Sequence, residues 1–185
     1  RAEYVAEMVR QVIYDRYQEE TYDKGIKVYT TLRQLDQEAA YQALRKNVIE
    51  YDRRRGYRGP EAYIDLMKYG GNQEKTLDDA LDEINDSDDI YAAVVIAAKP
   101  NSVQAYKKGG EVIEINGDGL KFAQKFLAEK KDPGKKYITP GALIRVQKNQ
   151  KNAWHIVQLP EVEAALVSID PNDGAIRALI GGFDF

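Results

Sequence analysis

The sequence of 185 residues contains no cysteine, one histidine, one tryptophan and two methionines. The absence of cysteine excludes disulfides, thiolate catalysis and cysteine-ligated zinc. The single imidazole, that of His155, excludes any site that needs two. A transmembrane helix needs about 18 consecutive apolar residues. No run in this sequence approaches that length, so we expect no membrane-spanning segment among these residues.

The composition is that of an ordinary globular protein, with 43% hydrophobic and 31% charged residues. A chain of this length can bury a substantial core as one domain or two small ones. The net charge of −3 conceals blocks of opposite sign: −8 over residues 59–89, +7 over 90–159 and −4 over 160–185. Such asymmetry indicates internal pairing or charged partners rather than a particular fold.

The spacing of apolar residues predicts the secondary structure. Helical periodicity predicts helices over 4–17, 35–54 and 76–84, the last with Thr76 and Asp79 as a capping box. Runs rich in β-branched residues or with period two predict strands. The predicted strands are 26–32, 90–98, 103–106, 111–115, 142–146 and 154–159, with a helix-like segment at 120–128, a turn at 70–72, and a hairpin of 164–169 and 175–180 around Asp173-Gly174.

About five short strands with one interposed helix are typical of Greek-key barrels of the OB type. We therefore predict an α+β fold: a small OB-like antiparallel β-barrel with short helices, flanked by helices and a β-hairpin.

Three stretches together resemble the class A, bifunctional penicillin-binding proteins, in particular the 1A type of Gram-negative bacteria. They read K-V-Y-T-T-L followed by L-D-Q-E-A-A (27–40), Y-D-R-R-R-G-Y-R-G-P-E (51–61), and W-H-I-V-Q-L-P followed by A-L-I-G-G-F-D (154–184). The resemblance implies the region between a glycosyltransferase and a transpeptidase on the periplasmic side of the inner membrane. It implies a linker and N-terminal part of the transpeptidase domain over 1–58, an inserted OB-like docking domain over 59–160, and the first hairpin of the transpeptidase sheet over 161–185.

The chain lacks the motifs that both activities of that family need. The transpeptidase requires S-x-x-K, S-x-N and K-T-G, and none of Ser87, Ser102 or Ser168 begins either serine motif. Lys75-Thr76 is followed by leucine, and the E-D-x-x-F motif of the glycosyltransferase is missing. We therefore expect no catalytic, cofactor-binding or metal-binding residues in this chain.

Two charged groups are candidates for docking a partner. The first comprises Asp78, Asp79, Asp82 and Glu83, and the second comprises Lys121, Lys125, Lys130 and Lys131. Each group is also compatible with a solvated face, and the acidic one lacks the spacing of a calcium loop. The resemblance implies an outer-membrane lipoprotein activator, or another periplasmic cell-wall regulator, as the partner.

A third candidate group lies at the predicted junction with the neighbouring transpeptidase domain: Arg53, Arg54, Arg55, Tyr57 and Arg58. Basic residues beside aromatic ones also occur in proteins that bind single strands. The acidic net charge opposes that interpretation, so no nucleic acid is expected as a partner. The alternative function is an OB-type module that binds glycan strands such as peptidoglycan, or single-stranded nucleic acid.

The missing motifs generate a direct prediction. Incubation of this chain with a labelled β-lactam should give no covalent adduct, because no serine is followed by its activating lysine. Intact-mass spectrometry measures this, with a transpeptidase of the same family as the positive control. An adduct on any of the three serines would contradict the prediction.

Overall fold

A computed structural model describes residues 2–67, 73–127 and 134–184, so the predicted turn at 70–72 lies outside it. The chain divides into two compact units, one of residues 1–52 with 160–185 and the other of residues 53–159. The helices of the described residues are α1 (Glu3–Tyr17), α2 (Glu20–Asp23), α3 (Gln34–Arg53), α4 (Gln73–Asp82) and a 3₁₀ helix (Gly117–Phe126). The strands are β1 (Ala62–Tyr63), β2 (Ile90–Lys99), β3 (Ser102–Lys107), β4 (Glu111–Asn116), β5 (Ala142–Lys148), β6 (Trp154–Val157), β7 (Leu166–Ile169) and β8 (Ile176–Ile180).

The combination of helices with antiparallel strands confirms the predicted α+β class. Among the described residues, no helix is both long enough and apolar enough to cross a bilayer.

In the first unit, polar side chains of α3 hold the hairpin of β7 and β8. The Gln37 amide donates to the Leu179 carbonyl and accepts from the Leu179 N–H, both at 2.8 Å, so it completes β8 as a strand residue would. The buried Arg45 guanidinium lies 4.2 Å from the ring centre of Phe183. At Gly181 a Cβ would overlap the Tyr4 ring, which explains why glycine is required there.

The predicted strand over 26–32 is wrong. The structure forms no strand there, although two hydrogen bonds link the end of this stretch to β8. The Thr31 hydroxyl donates to the Ile176 carbonyl at 2.7 Å, and the Arg33 N–H donates to the Arg177 carbonyl at 2.9 Å. One of the two is a side-chain bond, so the contact does not make the regular ladder that defines a strand.

The helix predicted over 4–17 is confirmed, but its apolar stripe is only partly covered. None of the residues of α1, all of which the structure describes, is buried. Met8 and Val12 are 50% and 67% exposed. A stripe of this kind indicates a surface that another element covers.

In the second unit, β5 is the strand with most partners. It pairs with β2 along one edge and with β1 and β6 along the two halves of the other. The sheet then continues from β2 through β3 to β4, and every pairing is antiparallel.

The sheet of the second unit is buried on both faces. Ala93 and Val95 of β2 pack into a cluster with the 3₁₀ helix, whereas Ala92 and Val94 pack against α4. Burial on both faces explains the nearly continuous apolar run of β2. β4 has one buried face, as its alternation predicts: Ile113 and Ile115 are buried, and Val112 is 56% exposed.

Two helix predictions in this unit need correction. The segment predicted as helix-like over 120–128 is a 3₁₀ helix over Gly117–Phe126. It lies so close to β6 that a Cβ on Gly119 would overlap the Trp154 carbonyl oxygen. The capping box is also wrong, because α4 begins three residues before Thr76, among residues that favour helices.

An ion pair with a buried guanidinium joins the segment before β1 to β5. The Arg145 side chain, only 6% exposed, donates to both carboxylate oxygens of Glu61 at 2.9 and 3.0 Å. It also donates to the Asn85 carbonyl at 2.7 Å. This arginine therefore connects three segments of the second unit.

Removing Glu61 should leave the buried guanidinium without its anion. We expect Glu61→Ala to lower the free energy of unfolding by about 2 kcal/mol, a discounted value because the carboxylate is partly exposed. The double variant Glu61→Leu/Arg145→Met should recover most of that loss, since apolar replacements leave no unpaired charge. Urea denaturation followed by the fluorescence of Trp154, the single tryptophan, measures both.

The exposed pair of Lys121 and Asp118 provides a matched control. Lys121→Ala should leave the midpoint unchanged, because solvent screens such pairs. Equal losses for Glu61→Ala and the double variant would contradict the role of the Arg145–Glu61 pair.

Candidate docking surface

Helix α4 covers one face of the sheet and carries Asp78, Asp79 and Asp82 of the predicted acidic group, whereas Glu83 follows its last residue. Leu77 and Leu81 are 3% and 0% exposed and pack on Val94, Tyr106 and Leu143. Because these two leucines face the sheet, the carboxylates at 78, 79 and 82 occupy the flanks and the outer side of the helix.

Two of the predicted docking carboxylates contact β3 and the turn that follows it. The Tyr106 hydroxyl donates to Asp78 at 2.7 Å, and this hydrogen bond raises the pKa of Tyr106 to about 12. The phenol is therefore protonated and donates its hydrogen at neutral pH. Asp82 lies 3.2 Å from the Lys108 ammonium, in a pair that solvent reaches.

Three of the predicted docking carboxylates, those of Asp79, Asp82 and Glu83, line an open cleft of about 750 Å³. All three side chains are exposed, and the Asp65 carboxylate lines the same cleft. Its remaining lining includes apolar surface from Tyr63, Ile64, Thr76, Ala80 and Ile84. The structure thus brings acidic groups and an aromatic ring, 48% exposed at Tyr63, to one concave surface.

The acidic residues that follow α4 have structural roles. Asp86 accepts from the Ala92 N–H at 2.8 Å, and Asp89 accepts from the Gln147 amide at 2.6 Å. Within 2–67, 73–127 and 134–184, no group of three or more His, Asp or Glu side chains is placed to hold a metal ion.

The predicted basic group is separated from the acidic one by the sheet. Lys121 and Lys125 are exposed on the 3₁₀ helix, which packs on the face opposite α4. Lys121 lies 2.6 Å from Asp118 and lowers the pKa of that carboxyl group. Lys130 and Lys131 belong to the part of the chain that the structure does not describe.

The predicted junction group contains one core residue. Tyr57 is 8% exposed, and its ring packs edge-on against Phe122 and Phe126, with ring centres 5.4 and 5.1 Å away. Burial raises the pKa of its phenol. Arg53 is exposed and lies 5.4 Å from the centre of the Phe122 ring.

The other three arginines of this group are exposed, but they lie in different surroundings. Arg54 and Arg55 follow the last residue of α3. Arg58 donates its backbone N–H to the Gln158 side chain at 3.0 Å and its guanidinium to the Leu159 carbonyl at 2.6 Å.

A further cluster, which the sequence patterns did not indicate, combines two aromatic rings with two lysines. Tyr91 and Trp154 meet edge to face, with ring centres 5.9 Å apart. The Lys107 ammonium lies 4.6 Å from the centre of the Tyr91 ring, and that of Lys148 lies 4.9 Å from the centre of the Trp154 ring. The lysines lie far apart in sequence, and the pairing of β2 with β3, of β2 with β5 and of β5 with β6 brings them to one cluster. His155, on the opposite side of β6, contacts Asn149 at 2.8 Å.

Sequence reasoning also missed Glu61, Arg145 and Gln158 as individual residues. Glu61 and Gln158 lie inside the stretches that carried the family resemblance, which was the available signal. Arg145 offered none, because a single arginine in an apolar strand does not identify its partner.

Comparison with known proteins identifies the family. The family model of the penicillin-binding protein OB-like domain matches residues 57–162. Penicillin-binding protein 1A of Neisseria gonorrhoeae is 43% identical over 98% of this chain, and that of Escherichia coli K12 is 36% identical over 100%. The chain spans about a quarter of the length of these relatives, 23% and 22% respectively.

A solved structure agrees in fold along the whole chain. The 2.6 Å crystal structure of penicillin-binding protein 1A from Haemophilus influenzae superposes with a TM-score of 0.82 at 30% identity, covering 100% of this chain and 26% of that one. The resemblance deduced from the three stretches is thereby confirmed, as is the OB-like class of the sheet. This chain belongs to the class A penicillin-binding proteins of the 1A type and carries their OB-like domain.

Proposed function

We propose that the OB-like domain is a non-catalytic spacer and docking unit of a peptidoglycan synthase, and that a regulator binds in the cleft beside α4. The parent protein polymerises glycan and cross-links peptides at the periplasmic side of the inner membrane. The regulator is an outer-membrane lipoprotein activator or another periplasmic cell-wall protein.

The observation that carries the proposal is that the side chains of α4 and of the residue after it have two roles. Some attach the helix to the sheet, and others line the cleft. Leu77, Leu81 and Asp78 attach the helix to the sheet. Asp79 and Glu83 point away from those contacts into the cleft, beside the exposed ring of Tyr63. An aromatic ring surrounded by charges is a frequent anchor in protein interfaces.

The chemistry of the cleft defines the surface that its partner offers. Carboxylates of Asp65, Asp79 and Glu83 favour lysines or arginines placed around an apolar side chain. Binding of such a partner changes the activity of a neighbouring domain only if the partner has different affinities for two states of the parent protein.

We also propose that residues 1–52 of the predicted 1–58 segment belong with 161–185 to the neighbouring transpeptidase domain, since residues 53–58 pack with the OB-like unit. The exposed stripe of α1 supports this assignment, since Met8 and Val12 then face additional structure. A two-stranded hairpin such as β7–β8 is also marginally stable without further strands.

Charge reversal in the cleft should abolish docking without unfolding the domain. We expect Asp79→Lys/Glu83→Lys to reduce capture of the lipoprotein regulator at least about tenfold, because like charges then face each other. Pull-down from outer-membrane and periplasmic fractions measures capture, with the bound proteins identified by mass spectrometry.

The control reverses two exposed acids that do not line the cleft, Glu114→Lys/Asp118→Lys, which changes the net charge by the same amount. Capture should persist with the control. Equal loss in both variants would indicate a general charge effect, and unchanged capture in both would reject the cleft as the docking site.

A second candidate function is binding of glycan strands, which the Tyr91–Trp154 pair favours. Aromatic rings offer stacking surfaces, OB-type barrels bind oligosaccharides, and Lys107 and Lys148 add positive charge. Titration with murein fragments should then shift the NMR signals of the Trp154 indole, and Trp154→Phe should weaken that response. Absence of any shift at millimolar fragment would reject glycan binding. That result would leave the docking proposal standing, since capture of the regulator is measured separately.

A further inference from the structure

The aromatic pair of the second unit lies beside two lysines that differ in what neutralises their charge. Tyr91 of β2 and Trp154 of β6 pack against the core cluster and are partly exposed. The ammoniums of Lys107 and Lys148 lie 5.9 and 4.9 Å from the centre of the Trp154 ring. Two cations therefore surround one ring, and both attract an anion that comes beside it.

Lys107 already has an anionic partner. Its ammonium lies 3.1 Å from the Glu111 carboxylate, and its side chain is only 16% exposed. The same ammonium lies over the Tyr91 ring, 4.6 Å from the ring centre. This lysine is held between a carboxylate and an aromatic ring, so its charge is largely neutralised within the domain.

Lys148 lacks such a partner. It is exposed, and among the residues that the structure describes it forms no ion pair. Asp89, which strand pairing brings beside this lysine, accepts from the Gln147 amide at 2.6 Å instead. The ammonium lies over the Trp154 ring, and a contact of this kind is weak at an exposed site.

A carboxylate ligand makes a stronger contact with Lys148 than the ring does. An ammonium and a carboxylate form a charge-assisted hydrogen bond. Such a ligand therefore draws the ammonium away from the ring and uncovers more of the ring face. The flexible four-carbon side chain of lysine permits this rearrangement without any change in the backbone.

An aromatic platform with one available cation at its border matches a sugar that carries one carboxylate. The apolar face of the sugar packs on the Trp154 ring, and its carboxylate reaches the Lys148 ammonium. A neutral sugar uses only the ring, and a carboxylate without a sugar uses only the ammonium. The combination therefore favours an acidic sugar over either part alone.

We propose that the Tyr91–Trp154 pair binds a glycan whose sugar carries a carboxylate, and that Lys148 recognises this carboxylate. The inference rests on glycan binding, the second candidate function above, and names the class of glycan. Lys148 is then a specificity-determining residue, since it distinguishes acidic sugars from neutral sugars of similar shape. N-acetylmuramic acid, with its lactyl carboxylate, has this chemistry.

NMR titration of the whole chain, followed at the Trp154 indole N–H, tests the proposal with three disaccharides. The first is N-acetylglucosaminyl-N-acetylmuramic acid. The second is its methyl ester, which has nearly the same shape without the charge, and the third is chitobiose, which lacks the lactyl group. We expect the acid to bind about fivefold more tightly than the other two, because only the acid offers a charge to Lys148.

Variants of Lys148 assign the preference to this residue. In Lys148→Met the ammonium is lost, so the acid and the ester should bind equally, whereas Lys148→Arg keeps the charge and should keep the preference. Lys108→Met is the matched control, because it also removes one positive charge. The Lys108 ammonium lies 3.2 Å from Asp82 of α4, the helix on the other face of the sheet, so the preference should persist.

Equal affinities of the acid and the ester for the unmodified chain would overturn the proposal and leave glycan binding intact. This comparison needs no variant, so it decides even if Lys148→Met fails to fold. An undiminished preference in folded Lys148→Met would overturn the role of Lys148. Absence of any shift with all three disaccharides at millimolar concentration would reject glycan binding itself, and this inference with it.

Lactate alone supplies the carboxylate without the sugar. It should shift the indole signal far less than the acidic disaccharide does at the same concentration. An equal shift would mean that the cluster binds any small carboxylate, that of an acidic peptide included, and would overturn the assignment to an acidic sugar.

Discussion

Burial of the central sheet on both faces is the constraint on which the OB-like domain depends. β2 and β5 contribute apolar side chains to two separate clusters, so each face needs its own cover. The 3₁₀ helix supplies one cover and α4 the other. Polar groups that this packing buries must be hydrogen-bonded. This requirement explains the bidentate contact of Arg145 with Glu61 and the hydrogen bond of Tyr106 to Asp78.

The same constraint separates the charges of the domain. α4 must turn its leucines to the sheet, so its carboxylates divide between anchoring the helix and lining a cleft. The lysines of the 3₁₀ helix lie on the opposite face. The described carboxylates of α4 and the lysines of the 3₁₀ helix therefore lie on two distinct surfaces, and a partner that binds one need not contact the other.

The stretch of residues 51–61, which carried part of the family resemblance, contains several residues with structural roles. Tyr57 fills the core, and Glu61 neutralises Arg145. Gly59 adopts a φ of +98°, and a Cβ there would lie 3.2 Å from both Lys136 and Phe126. These packing requirements permit few substitutions, so the motif can be recognised in a sequence although the roles described for its residues are structural.

The sequence by itself determined the elements whose signals are local. The long amphipathic pattern of α3, the alternation of β4 and the Asp-Gly turn of the last hairpin each depend on neighbouring residues, and each prediction is confirmed. The expected strand at 26–32 failed for the opposite reason. Its residues have strand propensity, but a strand exists only where a partner edge provides a regular ladder.

Only the tertiary structure decided which side chains of the candidate site act together. Asp78 and Asp79 are neighbours in sequence, yet one anchors the helix and the other faces solvent, because a helix rotates successive residues by about 100°. The pairs Arg145–Glu61 and Gln158–Arg58 span 84 and 100 residues. No local pattern encodes such contacts, since they arise from the strand pairing that brings distant segments to one edge of the sheet.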